Sequence, residues 1–164
     1  MSENVFESRR VVRAYRQTIE ATPEVVVPLL CPVREAEWLD GWTYRMIYSV
    51  SGLAEEGAVF STANEGEANT VWVVTRHDHA AGAVEFTRFT PDSRTCVLTI
   101  GVAKNGIAGS HVDVRYAYTS IAPAGNVFLD AWTEEAFRKA MIFWEQSMNY
   151  FLKTGRQLSH AASQ

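Results

Sequence analysis

Residues 94–121 read RTCVLTIGVAKNGIAGSHVDVRYAYTSI, and this stretch decides the fold. Apolar and polar side chains alternate on both sides of Lys104-Asn105-Gly106, which is the pattern of two half-buried strands. Asn-Gly favours a type I′ turn, so the two strands are expected to form an antiparallel hairpin. The residues predicted to face the interior are Cys96, Leu98, Ile100, Val102, Val112, Val114, Tyr116 and Tyr118.

The hairpin belongs to a longer run of strands between Trp42 and Ile121. Six segments there are rich in β-branched and aromatic residues, and Gly, Asn, Asp or Pro separates each from the next. Asp92-Ser93 and Ala81-Gly82 mark two more tight connections. Strands joined by such short turns are antiparallel, so the run predicts one meandering sheet.

Helices are predicted on both sides of this run. Upstream, residues 9–20 form a first strand, and Pro23 and Pro32 begin two short helices, the second ending at Asp40-Gly41. Downstream, an amphipathic helix spans 130–154, followed by a cap at Gly155 and a frayed tail over 156–164. Its apolar stripe comprises Phe137, Met141, Trp144, Met148, Phe151 and Leu152. Seven strands with one long helix predict an α+β fold, in which a curved antiparallel sheet wraps that helix.

Composition restricts the classes of protein. The 164 residues fit a single domain over 1–164, with an ordered core over about 9–155. An apolar content of 47% excludes a disordered chain, and a net charge of −4 provides no basic field for nucleic acid. The start, MSENVFESRR, has no apolar signal segment, and no run is long enough for stable membrane insertion. With Cys31 and Cys96 far apart, we expect a soluble cytoplasmic protein without a disulfide or zinc site.

One local basic cluster comprises Arg9, Arg10, Arg13 and Arg16. Because residues alternate along a strand, Arg9 and Arg13 are expected on one face and Arg10 and Arg16 on the other. Solvated strand positions are the favoured interpretation, ahead of an anion-binding patch.

The order of elements resembles the helix-grip fold of the START-like, or SRPBCC, superfamily, which includes the birch-pollen allergen, lipid-transfer START domains and polyketide cyclases. The resemblance covers about residues 9–155 and is closest to small bacterial members. It rests on LLCPVREAEWLDGW (29–42), MIYSVSGLAEEGAVF (46–60), TVWVVTRHD (70–78), VEFTRFTPDSR (84–94) and EEAFRKAMIFWEQSMNYFLKTG (134–155). It implies a cavity between the concave sheet face and the long helix, with Trp38 and Trp42 in a gate at its opening. The alternative for these two tryptophans is a plug of core aromatics under the helix.

The aromatic content supports such a cavity, because Tyr and Trp rings carry polar groups that need partners when buried. The predicted ligand-binding residues are Trp38, Trp42, Tyr48, Trp72, Phe86, Arg88, Tyr116, Tyr118, Phe137, Met141 and Trp144. Arg88 falls on the apolar face with Val84 and Phe86, where it either anchors a ligand carboxylate or phenolate or pairs with an acid near the cavity mouth. The three tyrosines either donate to a ligand or are ordinary core residues.

Other chemistry has less support. His77-Asp78-His79 places two imidazoles on one strand face, but no third metal ligand is evident. Glu35 and Glu37 are interpreted as surface acids, and Glu55-Glu56 as a solvated turn. No nucleophile elbow, phosphate loop or dinucleotide turn is present, so neither a metal nor a cofactor is expected.

Three functions therefore stay open. The favoured one is a small-molecule binding protein that holds an apolar, aromatic or lipid-like ligand. The alternative is a polyketide cyclase-like or dehydratase-like enzyme that uses Tyr and Arg groups without a cofactor. A third is an interaction module whose groove binds a peptide, for which an exposed apolar patch would be the sign.

Overall fold

One antiparallel sheet of seven strands wraps a long C-terminal helix, in a computed structural model that describes residues 5–162. The strands are β1 (Arg10–Ile19), β2 (Arg45–Tyr48), β3 (Val59–Thr62), β4 (Thr70–Asp78), β5 (Ala83–Thr90), β6 (Arg94–Asn105) and β7 (Gly109–Ser120). The helices are α1 (Pro23–Leu29), α2 (Pro32–Trp38), α3 (Pro123–Ala131) and α4 (Glu134–Thr154), and a short 3₁₀ turn covers His160–Ala162. The predicted α+β class and its seven-stranded sheet are confirmed.

The strand order is β1-β7-β6-β5-β4-β3-β2, so every strand except β1 lies beside its neighbours in the sequence. Side chains alternate between the two faces of β6 and β7 as predicted, and every residue expected to face inward there is at most 9% exposed. The β6–β7 connection differs from the prediction. Asn105 pairs with Gly109, leaving a three-residue loop in which Gly106 has a positive φ of 69°, rather than a two-residue type I′ turn.

The long helix has conventional caps at both ends. Thr133 Oγ1 accepts a hydrogen bond from the Ala136 backbone N–H at 3.1 Å, which satisfies one of the free donors of the first turn. Gly155 adopts a left-handed conformation and donates to the Phe151 carbonyl at 2.7 Å. The predicted cap at Gly155 is therefore observed. No helix among residues 5–162 is long and apolar enough to span a membrane.

The segment after β7 corrects the prediction of one helix over 130–154. A separate helix, α3, covers Pro123–Ala131, and Trp132-Thr133 separates it from α4. Pro123 takes the first helical position, where its missing N–H costs nothing. Gly125 and Asn126 have poor intrinsic helix propensity, so packing against the sheet outweighs the local signal here.

The described part of the predicted frayed tail is ordered. Leu158 forms a bridge with Leu39, and the Gln157 side-chain amide donates to the Ala36 carbonyl at 2.8 Å. The His160 backbone N–H donates to Asp40 Oδ2 at 3.0 Å. Residues 157–162, called the C-terminal strap below, therefore lie along the end of α2. Residues 1–4 and 163–164 lie outside the described range.

The arginines of β1 occupy the two faces as predicted, and most are paired with acids. The ion pairs are Arg9 with Asp130 at 2.9 Å, Arg13 with Glu134 at 3.1 Å and Arg16 with Asp113 at 2.7 Å. Arg10 Nε donates to Thr119 Oγ1 at 3.0 Å. Because carboxylates already neutralise three of the four charges, the cluster does not form an anion-binding patch.

Candidate ligand cleft and its interior arginine

A cleft of about 1010 Å³ lies between α4 and the chain segment that follows α2. Met141 and Trp144 line it from the helix, Tyr116 from β7, Trp42 from the segment after α2, and His160 from the C-terminal strap. The His160 ring stacks on Phe143 with centroids 3.9 Å apart. The cleft is thus walled by rings and enclosed at one end by the strap.

Further rings form the packed support beneath this cleft. Trp38 is fully buried and stacks on Trp144 with centroids 6.2 Å apart. Trp72 stacks on Phe60 at 5.1 Å and meets the edge of Phe86 at 5.8 Å. Trp72 also meets the edge of Trp42 at 5.9 Å, so Trp38 and Trp72 contact the cleft wall without forming it, and Phe86 lies behind Trp72. Aromatic contacts of this kind contribute about 0.5–1.5 kcal/mol each beyond their buried area.

The indole nitrogens of these tryptophans are not all satisfied. Trp38 Nε1 donates to the Leu29 carbonyl at 3.1 Å, and Trp42 Nε1 donates to the Pro32 carbonyl at 2.9 Å. Trp72 Nε1 donates to a threonine hydroxyl in β3 at 2.9 Å. Trp144 Nε1 is buried and has no partner within residues 5–162. An unpaired buried donor costs about 1–3 kcal/mol, and this one belongs to a ring that lines the cleft.

Arg88 lies in the interior, as the strand alternation predicts, and is largely buried. Its Nη2 donates to the Tyr118 hydroxyl at 2.6 Å. Its guanidinium lies over three rings, 4.5 Å from the centroid of Trp72, 5.1 Å from Tyr116 and 5.5 Å from Tyr118. No carboxylate oxygen of residues 5–162 comes within 4.0 Å of it, so the alternative of a paired arginine is wrong. Burial lowers the pKa of Arg88, but the neighbouring Tyr118 and Cys96 raise it by more than burial lowers it. The net shift is upward, so the group stays charged.

A second, smaller cavity of about 230 Å³ is lined by Arg88, which is not among the residues that line the large cleft. Tyr116 and Tyr118 stack with centroids 5.9 Å apart; Tyr116 lines the large cleft, whereas Tyr118 lines the small cavity. Helix α3 contributes Phe128, and Trp132 follows it. The tyrosine pair therefore lies between the two spaces, and Arg88 lines only the smaller one.

Glu35 is the unexpected member of this interior. It lies on α2, and burial raises the pKa of its carboxyl to about 8, although the charge of Arg88 lowers it. The carboxyl is therefore protonated near neutral pH and can donate a hydrogen bond. Its side chain is only partly exposed, so Glu35 is not the fully solvated acid that the sequence favours. The helical period contained the signal, because Cys31, Glu35 and Trp38 recur at spacings of four and three and share one face.

The interior phenols are also held in their neutral form. Burial raises the pKa of both Tyr116 and Tyr118, and the positive charge of Arg88 opposes that rise without cancelling it. Each hydroxyl is therefore a donor to a ligand rather than a phenolate. The Tyr118 hydroxyl oxygen already accepts a hydrogen bond from Arg88, which leaves its own hydrogen to be donated elsewhere.

Tyr48 does not belong to the site. Its side chain is 61% exposed, because a bulge between Met46 and Tyr48 shifts the pairing of β2 with β3. Met46 pairs with the buried Phe60, but Tyr48 pairs with Val59, whose side chain faces the other way. One extra residue in a strand reverses the face of all that follow, and the sequence alternation cannot show it.

Three further sequence features have a structural role without joining the cleft. Phe137 is buried and meets the edge of Tyr116 at 5.5 Å, which fixes that ring in the cleft floor. Glu55 accepts hydrogen bonds from the backbone of the preceding turn, among them from Val50, which lowers its pKa. His77 Nε2 hydrogen-bonds the Leu30 carbonyl at 2.9 Å, and burial lowers its pKa. Within residues 5–162, no three His, Cys, Asp or Glu side chains are grouped as a metal site requires.

Comparison with known proteins finds similar solved structures but no match by sequence. No family model matches the chain, and no curated protein matches it. Norcoclaurine synthase from Thalictrum flavum, solved with dopamine and hydroxybenzaldehyde, superimposes with a TM-score of 0.63 at 12% identity, over 88% of this chain and 87% of that one. The chain has the helix-grip fold.

Two further solved structures with the helix-grip fold agree. Ara h 8.0201 matches with a TM-score of 0.58 at 12% identity, over 89% of this chain and 100% of that one. DynU16, from the dynemicin biosynthetic locus, matches with a TM-score of 0.59 at 12% identity, over 88% of this chain and 48% of that one. The resemblance to the START-like superfamily is therefore confirmed for the fold, and at such low identity for the fold alone.

Proposed function

We propose that the protein binds a small apolar or aromatic, lipid-like molecule in the cleft between α4 and the segment that follows α2. The observation that carries this proposal is the 1010 Å³ cleft, whose wall contains the rings of Trp42, Tyr116 and Trp144. Clefts that bind small molecules are mostly apolar and contain a few placed polar groups. The solved relative that holds dopamine and hydroxybenzaldehyde, both aromatic, supports a ligand of this class.

Titration with a flat apolar dye tests this proposal. We expect a dissociation constant on the order of micromolar, a change in tryptophan emission, and a higher melting temperature with bound dye. Native mass spectrometry of the purified protein, before and after denaturation, then detects any molecule that co-purifies. Absence of both a spectral change and a melting shift would contradict the proposal.

A pair of substitutions on α4 locates the binding site. Met141 lines the cleft, so Met141→Trp should fill it and abolish dye binding while the melting temperature holds or rises. Tyr150→Trp adds the same indole to a partly exposed position of α4 outside the cleft and should leave binding unchanged. If Met141→Trp costs about 1–3 kcal/mol of stability and the dye still binds, Met141 belongs to a solid core instead.

Glu35 favours a second candidate function, an enzyme of the cyclase or dehydratase kind. The Glu35 carboxyl has a pKa of about 8, so it can accept and release a proton near neutral pH. Together with the neutral phenols and the fixed cation, it can act in general acid and base catalysis. In an aldol cyclisation, a base takes a proton from the carbon next to one carbonyl. The carbanion then attacks a second carbonyl, whose oxygen receives a proton, and dehydration releases one water. No cofactor is needed for this sequence.

A simple diketone substrate separates the two functions. Catalysis predicts that a conjugated ring product accumulates, that Glu35→Gln lowers kcat on the order of a hundredfold or more, and that the rate follows the ionisation of a group near pH 8. Glu37→Gln, at an exposed position two residues further along α2, is the matched control. Dye binding that survives Glu35→Gln without any turnover of the diketone would support binding alone.

A further inference from the structure

The 230 Å³ cavity beside Tyr118 has a polar wall and an aromatic wall. Threonine hydroxyls of β3, β5 and β6 lie on one side, from Thr62, Thr90 and Thr95. Phe128 and Trp132 form the other side, with their rings stacked at 6.2 Å between centroids. A flat molecule with one polar end fits such a division better than a spherical ion does.

The charges that line this cavity do not balance. Arg94 is neutralised, because its two terminal nitrogens each lie 3.0 Å from an oxygen of Glu67 in a bidentate pair. Among residues 5–162, no carboxylate oxygen lies within 4.0 Å of Arg88. Glu35, whose pKa the charge of Arg88 lowers, is still protonated near neutral pH because burial raises that pKa to about 8. One largely buried positive charge is therefore left without a counter-ion, and a buried charge without one is unfavourable.

Unused hydrogen-bond donors belong to residues that line the same cavity. Of the five guanidinium N–H groups of Arg88, one donates to Tyr118, and Cys96 is its cross-strand neighbour. The Tyr118 hydrogen is available, as described above. Trp132 Nε1 is buried and has no partner within the described chain. A planar fork of donors matches the two oxygens of a carboxylate, which makes Arg the preferred residue for that group.

We propose that this cavity is a second site, separate from the large cleft, and that it binds a small organic carboxylate with a flat body. The carboxylate lies on Arg88 and the Tyr118 hydroxyl, and the body lies against the rings of Phe128 and Trp132. The volume of the cavity corresponds to about eight water molecules in the liquid, so the body is no larger than a single ring. The proposal does not depend on what the large cleft binds.

Calorimetric titration of the full chain with benzoate and benzamide tests the site. The two probes have nearly the same shape, but only benzoate carries a charge. We expect benzoate to bind at least about tenfold more tightly, because hydrogen bonds to charged groups are the stronger ones. Equal affinity for the two probes would overturn the proposal, and so would tighter binding of inorganic phosphate than of benzoate.

Four substitutions place the probe. Arg88→Met should abolish benzoate binding, and Arg88→Lys, which keeps the charge but not the fork, should weaken it. Trp132→Phe keeps the ring stack and should weaken benzoate by about two- to tenfold through the lost N–H. Met141→Trp, which fills the large cleft, should leave benzoate unaffected. Retained binding in Arg88→Met, or lost binding in a folded Met141→Trp, would overturn the assignment to the small cavity.

Discussion

Arg88 and Glu35 approach the same interior from opposite layers of the fold. Arg88 extends from β5 in the sheet, and Glu35 extends from α2. Burial acts on both, but it leaves the arginine charged and the carboxyl neutral. The interior is therefore cationic at neutral pH, although the whole chain has a net charge of −4.

The carboxyl of Glu35 makes stability depend on pH in a defined window. Its pKa is raised from 4.5 in the unfolded chain to about 8 in the folded protein. The folded state binds the extra proton between these values, so this contribution to the free energy of unfolding is complete below about pH 4.5 and falls as pH rises to about 8. The slope is at most about 1.4 kcal/mol per pH unit.

Urea unfolding of the wild type and of Glu35→Gln, measured in steps between pH 5 and pH 9, checks this. The variant should gain stability relative to wild type as pH rises to about 8, with no further gain above. Taking the difference cancels the separate effect of His77. Glu37→Gln is exposed and should give a difference that does not change with pH. A pH-independent difference for Glu35→Gln would mean that its carboxyl is ionised in the fold.

Single residues show what alternation in a sequence can predict. Arg88 was placed inside correctly, because β5 pairs in regular register with β6 over its whole length. Tyr48 was placed inside wrongly, because the bulge that turns it outward depends on three-dimensional pairing. Charged residues such as Glu35 are assigned to the surface by default, so composition hides the ones that function inside.

At the scale of elements, α3 depends on one residue without a side chain. A Cβ built on Gly125 would lie 2.0 Å from the Ser93 carbonyl oxygen and 2.9 Å from Ser120 Cβ. The helix thus approaches the β5–β6 turn so closely that any residue other than glycine at position 125 would clash with it. Since α3 supplies Phe128 to the small cavity, this approach also sets the position of one cavity wall.

Gly125→Ala is therefore expected to destabilise the protein by about 1–3 kcal/mol, although alanine is the better helix former. In a domain of this size, each 1 kcal/mol lowers the melting temperature by about 2–4 °C. Gly101→Ala is the control, because a Cβ there meets no atom within 4 Å. Its melting temperature should stay close to that of the wild type. Equal melting temperatures for the two variants would mean that α3 is not held as closely as described.

The elements that sequence patterns missed share a cause. Strands β4 to β7 and α4 have strong periodicity because each buries one face continuously. Helix α3 is short and contains glycine. The C-terminal strap is held by the Gln157 side chain, which donates to α2, and by the His160 backbone N–H, which donates to Asp40 just after α2. Such segments owe their order to distant partners, so no local pattern predicts them.

For the whole molecule, the strap is expected to control entry to the large cleft. A chain that ends at Arg156 lacks His160, which lines the cleft and covers Phe143. We expect a faster association of apolar dye, measured by stopped-flow fluorescence, with a stability loss of about 1–2 kcal/mol from the lost hydrogen bonds. His160→Ala keeps the chain length and should give part of the acceleration. An unchanged association rate in both proteins would show that the ligand enters elsewhere.

The pairing of β1 with β7 affects the order in which the strands come together during folding. All other strands can pair with a neighbour in the sequence as soon as the turn between them forms, but the Ser110 hydroxyl at the β7 end of this pair meets the Ala21 carbonyl across 89 positions. Closing such a long loop comes late when local pairings are available. We expect β1 to join after the transition state, so Ile19→Val should speed unfolding and leave the folding rate unchanged. Ile100→Val in β6 should slow folding instead. Until β1 joins, the edge of β7 has unpaired backbone groups that can pair with another chain.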